Sequence, residues 1–222
     1  MSSLDVVRRF CNAPSAVLAL LALGMFIAAG AYGSPSPADG GIKNQRYTNA
    51  YFGLSMPIPK GWSDVTEPMR GHFEDSVKKS EPGAKTSAPS TAGKTAPSLL
   101  LAISEYPVGA PVDCNPYVIL WAAQIPPHTR TDPAEAAMIE LQDGLKRHPE
   151  HGQTVGATGE ETIGGKKFFT LDYKLNISGR IAYHSAMFTL DRGYLLTFLP
   201  GAGSEAQIQE LVGAIERTTF SR

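Results

Sequence analysis

Residues 166–220 read KKFFTLDYKLNISGRIAYHSAMFTLDRGYLLTFLPGAGSEAQIQELVGAIERTTF. Within this stretch, residues 168–175, 180–190 and 194–199 are dense in aromatic and branched side chains, the composition of strands. The sequences between them, Asn176-Ile177-Ser178-Gly179 and Asp191-Arg192-Gly193, are turns so short that consecutive strands should pair antiparallel, as a meander. The pattern then changes. After Pro200-Gly201-Ala202-Gly203, the Ser204 side chain is placed to accept from the first-turn amides of a helix, and Ile208, Leu211, Val212 and Ile215 fall on one helical face. A helix with a single apolar stripe must bury it, and the nearest apolar surface is the sheet just completed. Helix on sheet is the expected nucleus of the fold.

Upstream, residues 45–59 contain Phe52, Leu54, Met56 and Ile58 at period two, with Tyr47 before them and Gly53 at a bend: a pair of short strands. Pro57 and Pro59 have no N–H to give a ladder, so this segment ends there or lies at an edge. Trp62 is expected to plug the core. Residues 66–79 suit a short helix capped by Thr66, with Met69, Phe73 and Val77 along one side and Gly71 weakening it. Residues 80–98 hold no large apolar side chain and cannot offset their ordering entropy, which predicts a disordered insertion within one domain. Residues 99–106 read as a central strand, whereas 117–123 fit a strand or a turn of buried helix. Thr131 or Asp132 then caps a helix, Pro133 takes its first position and Glu135 can reach back to the cap amide. Ala134, Met138, Leu141 and Leu145 form its stripe, and His148-Pro149 stops it. Residues 155–163 read as a polar strand that Gly164-Gly165 turns into the meander. The fold class is α+β: an antiparallel β-sheet flanked by helices.

The chain has 222 residues, 42% hydrophobic and 18% charged, which describes one ordinary globular domain with low-complexity sequence attached. Its first 33 residues differ from the rest. Arg8 and Arg9 precede the uncharged, mostly apolar residues 16–33, and basic, apolar, then small residues is export order. Ala29 with Ala31, or Ala31 with Gly33, offers the small pair a signal peptidase requires, so cleavage is expected near Gly33. The alternative is an uncleaved membrane anchor, since about 18 apolar residues is the lower edge of a bilayer span. Arg8-Arg9-Phe10 falls short of the full twin-arginine pattern, and Cys11 precedes the apolar run, where lipid attachment is not expected. Residues 34–44 read as a polar spacer and 45–222 as the domain. The expected location is extracytoplasmic, in a periplasm, with membrane association through residues 16–33 if the leader stays. Arg8, Arg9 and Asp5 are the charges of the leader, so the remainder of the chain's 20 basic and 21 acidic residues is close to balance, with no broad field to hold nucleic acid. Removal of the leader also leaves one cysteine, Cys114, expected either as a buried small hydrophobe or as an odd thiol.

Candidate chemistry is sparse. Gly201-Ala202-Gly203-Ser204-Glu205-Ala206 has the outline of a dinucleotide-binding turn, but Glu205 sets a carboxylate where pyrophosphate would sit, and no second strand with a ribose-binding acid follows. His148-Pro149-Glu150-His151 groups two imidazoles and a carboxylate, yet Pro149 forbids the helical spacing of zincin motifs and no further cluster completes a shell. His184 is mid-strand, with Tyr183 and Ser185 on the opposite face. Neither a G-x-S-x-G elbow nor a Cys–His signature is present. Glu160 and Glu161 are adjacent on a strand and face apart, which disqualifies them as a paired acid and base. Asn176-Ile177-Ser178 is a glycosylation sequon, of consequence only in a eukaryotic secretory pathway. No catalytic residue, cofactor or metal is expected.

Three stretches carry a resemblance. Residues 47–62, YTNAYFGLSMPIPKGW, resemble the Y-x-N-x-x-F-G-F-S-x-x-x-P-x-G-W opening of bacterial PsbP-like exported proteins. The Gly164-Gly165-Lys166 turn with the strands up to Leu199, and the closing helix ending at Thr219-Phe220, look like that superfamily's C-terminal half. The resemblance implies an α/β/α sandwich, as in the oxygen-evolving PsbP subunit and a Ran-binding import factor, and a binding or assembly module without a catalytic site. No set of site residues carries over, and the basic N-terminal segment that binds a photosystem has no match. The expected function is therefore that of an exported envelope module that binds a protein, peptide or lipid. The alternative is a small exported hydrolase using Cys114 or a serine with His184.

Overall fold

The turn chemistry of the meander settles its geometry first. In the computed structural model of the chain, which describes residues 36–79, 97–126 and 131–221, β9 (Lys166–Ile177), β10 (Arg180–Asp191) and β11 (Tyr194–Ala202) pair antiparallel in sequence order. The connecting residues Ser178-Gly179 and Arg192-Gly193 all have positive φ (54°, 85°, 49° and 80°). This is the mirror-image two-residue turn whose twist matches that of the strands it joins. Gly164-Gly165 makes the same turn into β9 from β8 (Gly159–Ile163).

The meander is the middle of an eight-stranded sheet. Its order is β4-β5-β6-β11-β10-β9-β7, with β8 also on β9, where β4 is Ser63–Asp64, β5 Ser98–Ser104, β6 Tyr117–Gln124 and β7 Gly152–Thr154. Residues 117–124 are thus strand rather than helix, and they alternate as a strand must: Tyr117 and Ile119 enter one core, Val118, Leu120 and Ala122 the other. In β5 a bulge between Leu99 and Leu101 breaks the alternation, so that Leu100 and Leu101 both join the second core. Of the polar stretch 155–163 only 159–163 is strand (β8), and β7, before that stretch, takes another part of the outer edge of β9.

Both faces of this sheet are covered. On the first lie α1 (Thr66–Lys79) and α2 (Pro133–Arg147), which contribute Met69, Ala134, Met138 and Leu145 to a core with Ile119, Phe169, Leu171 and Phe188. Asp132 accepts from the Ala134 amide at 2.9 Å and Pro133 holds the first position, as the sequence indicates for α2. On the second face lies α3 (Glu205–Ile215), capped by Ser204, whose hydroxyl accepts from the Gln207 amide at 3.3 Å. Its Ile208, Leu211 and Ile215 retain only 4%, 4% and 1% of their exposure, against Phe168, Met187 and Phe198. The helix-on-sheet nucleus is therefore formed.

The second face is also where the fold departs from the sequence reading. It is shared by α3 and a small sheet, β1 (Gly40–Lys43), β2 (Arg46–Asn49), β3 (Leu54–Pro57) and β12 (Thr219–Phe220), in that order. The covering layer is mixed rather than helical alone. Residues 40–43, assigned to a polar spacer, are strand β1, because pairing with β2 rather than burial makes them a strand. Trp62 packs half-buried on this core as expected. Thr66 does not cap α1: Asp64 accepts from the Thr66 amide at 2.9 Å, and the Thr66 hydroxyl is spent on the backbone of Ala102. The insertion is shorter than 80–98, since Ser98 opens β5; residues 80–96 and the leader, 1–33, lie outside the described residues.

Candidate functional site

The convergent polar side chains of the sheet lie on one rung across it. The register runs from Thr154 to Tyr173, from Tyr173 to His184, from His184 to Gly201, from Gly201 to Tyr117 and from Tyr117 to Ser104. Directly opposed residues point to the same face, here the face under α1 and α2. Gly201 is the gap in that rung. A Cβ at Gly201 would stand 2.5 Å from Tyr117 Cζ and 2.6 Å from its hydroxyl oxygen, so the tyrosine ring lies down over the glycine. This lets Tyr117 span two strand spacings, roughly 10 Å, and place its hydroxyl 3.2 Å from His184 Nδ1; the ring tautomer decides which of the two donates. On its other side His184 stacks on Tyr173, with centroids 5.0 Å apart and planes at 17°.

Burial dominates the electrostatics of this rung. His184 is 1% exposed, and desolvation lowers its pKa to about 3, so the ring is neutral. Burial likewise raises Tyr117 and Tyr173 far above the usual phenol range. His184 Nε2 has no hydrogen-bond partner among the described residues. A hydrolase built on His184 needs a ring that a substrate can approach, and this one is stacked against tyrosine inside the core. The rung is a polar element of the packing.

The other sequence candidates resolve into structure. Cys114 is half-buried, with its Cβ 3.2 Å from where a Gly203 Cβ would stand, and its sulfur is not a free thiol. Gly201 and Ala202 end β11 and the Ser204 hydroxyl also contacts the Gln207 amide oxygen at 3.1 Å, so the glycine-rich turn serves the chain reversal. His148 and His151 do come together around Glu150, at 3.5 and 3.2 Å, on the exposed end of α2. Among the described residues no group of three such side chains is arranged to hold a metal ion. Glu160 pairs with Lys167 at 2.9 Å, while Glu161 has its pKa raised by burial and then by Glu216 and Asp172; the two do separate work.

One surface cluster was not singled out from the sequence. Tyr51, in the turn between β2 and β3, meets Tyr194 edge-on at 5.6 Å, and the Arg192 guanidinium lies 6.0 Å from the Tyr51 ring centre. Arg192 is exposed and holds a left-handed conformation that asparagine, aspartate or glycine would normally fill in such a turn. That mismatch was the available signal.

No family model matches the chain by sequence, and no curated protein does either. Solved structures do match in shape. Cyanobacterial PsbP (CyanoP) from Synechocystis is similar at a TM-score of 0.50 and 16% identity, over 86% of this chain and 98% of that one. LpqN from Mycobacterium tuberculosis, described as involved in cell envelope biogenesis, is similar at a TM-score of 0.44 and 18% identity, over 76% of this chain and 83% of that one. The first of these, together with the meander, its closing helix and the 47–62 hairpin, gives the conclusion for the fold: this chain has a PsbP-like architecture.

Proposed function

We propose that the chain is an exported module of the cell envelope that acts by binding or assembly and not by catalysis. One observation carries this reading. A leader of export order runs into a domain whose one rung of convergent polar side chains, Tyr117, His184 and Tyr173, is sealed in the core. Such a domain offers its surfaces, and its partner is a protein, peptide or lipid met outside the cytoplasm. The arrangement is that of a sandwich whose central sheet is closed on both sides, in one domain that follows the leader. Cleavage near Gly33 releases it into the periplasm; retention of residues 16–33 ties it to the membrane. Among the described residues no helix is long and apolar enough to cross a membrane, so the tie, if kept, is the leader.

A C-terminal reporter enzyme that is active only outside the cytoplasm tests export, and the fusion is expected to be active. The purified protein is expected to leave a panel of esters and peptides intact, and crosslinking in the native envelope to recover a partner. A silent reporter, or turnover of the panel that is lost in His184→Phe, contradicts the proposal.

A further inference from the structure

We infer that one pole of the folded domain, formed by Tyr51, Arg192 and Tyr194, rests on an anionic lipid surface. The inference builds on the export reading above and adds which surface meets the membrane. The Pro37 carbonyl accepts from Asn49 Nδ2 at 2.8 Å, and Oδ1 of the same asparagine accepts from the Phe52 amide at 3.2 Å. Asn49 is 1% exposed, so the entry of the chain is pinned to the turn that carries Tyr51. Only Ser34 and Pro35 separate the apolar residues 16–33 from Ser36, a reach of roughly 10 Å even when fully extended. Whenever those residues lie in a bilayer, this turn and its neighbours are held against the headgroups.

The side chains there suit that position. Tyr51 and Tyr194 are half-buried, and each joins an apolar ring to a polar hydroxyl, the amphipathic form that collects at membrane interfaces. Arg192 is exposed at the turn and makes no ion pair among the described residues; its guanidinium lies over the Tyr51 ring. An arginine tolerated in a left-handed turn position points to a role that asparagine could not fill, and a cation at headgroup depth attracts anionic lipid. Of the neighbouring charges, Lys166 is paired with Asp191 at 2.8 Å, while the Asp39 carboxylate accepts from the Ser36 amide at 2.7 Å and keeps its charge.

The test uses the full chain, reconstituted through its own leader into vesicles of phosphatidylglycerol or of phosphatidylcholine that carry lipids brominated near the headgroup. Tyr194→Trp reports on the pole. Tyr106→Trp, at the far end of β5 and 41% exposed, is the control, and the parent chain supplies the background of Trp62 and Trp121. The emission added at position 194 should fall by roughly half in anionic vesicles and less in zwitterionic ones, while that at 106 holds. Arg192→Asn in the Tyr194→Trp chain keeps the turn and should abolish the difference between the two lipids. Equal quenching at 194 and 106, no quenching at 194, or a lipid difference that survives Arg192→Asn overturns the inference. A silent export reporter would sink the export reading without altering this vesicle result, so the two failures can be told apart.

Discussion

Gly201 shows how much a single residue can decide. Its hydrogen atom leaves the space in which Tyr117 crosses to His184, and an alanine there would occupy the tyrosine ring. Gly201→Ala is expected to cost about 1–3 kcal/mol in urea denaturation, the usual penalty of overpacking; an unchanged midpoint would contradict the gap. His184 gives a second prediction, and its sign follows from its neutrality. The folded ring holds off protonation until about pH 3, whereas the unfolded one accepts a proton near 6.5. Between those values the unfolded state binds more protons, so stability falls as pH drops through that window and is indifferent to this group above it. The loss from pH 7 to pH 4 should reach about 3 kcal/mol. His184→Phe should keep the stack on Tyr173 and flatten that dependence; equal pH slopes in parent and variant would show that the ring titrates normally. None of this is legible in sequence, because the rung exists only once six strands have found their register. The sequence places His184 mid-strand and stops there.

At the level of elements, legibility followed the strength of the local signal. The meander and α3 announce themselves through turn residues, a serine cap and an apolar stripe, and α2 through Asp132-Pro133. β1 and β12 do not. Gly40-Gly41-Ile42-Lys43 and Thr219-Phe220 have no period of their own and become strands because β2 and β3 present edges to them. Residues 117–123 were ambiguous for the opposite reason: a strand buried on both faces is apolar along its length, so no period distinguishes it from a buried helix. The misassigned cap of α1 is informative too. The Thr66 hydroxyl accepts from the Ala102 amide at 2.9 Å and donates to the Ala102 carbonyl at 3.3 Å, while Arg70 donates to the Leu99 carbonyl at 3.3 Å. Side chains of α1 thus occupy groups on the outer edge of β5 that another strand could otherwise take. Thr66→Val, which keeps the shape but not the hydroxyl, should cost about 1–3 kcal/mol by leaving the Ala102 amide unpaired. Its chemical denaturation at low protein concentration, beside a sedimentation run, would also show self-association through the freed edge. A variant as stable and monomeric as the parent would remove that role from Thr66.

In the molecule as a whole the main sheet is covered on both sides among the described residues: α1 and α2 close one, and α3 and the small sheet close the other. Sequence likeness is slight, yet the fold resembles that of CyanoP, because what is shared is a pattern of strands and turns that many side chains can satisfy. The burial of α3 against the meander holds this arrangement together, since without it the second core loses Ile208, Leu211 and Ile215 from its cover. Native-state hydrogen exchange tests that most directly. The amides of Leu211 to Ile215 in α3 should exchange with the slowest class, together with those of β6, β9, β10 and β11, all opening only when the chain unfolds globally. Exchange of the α3 amides at the rate of a free peptide, while the strands stay protected, would contradict it.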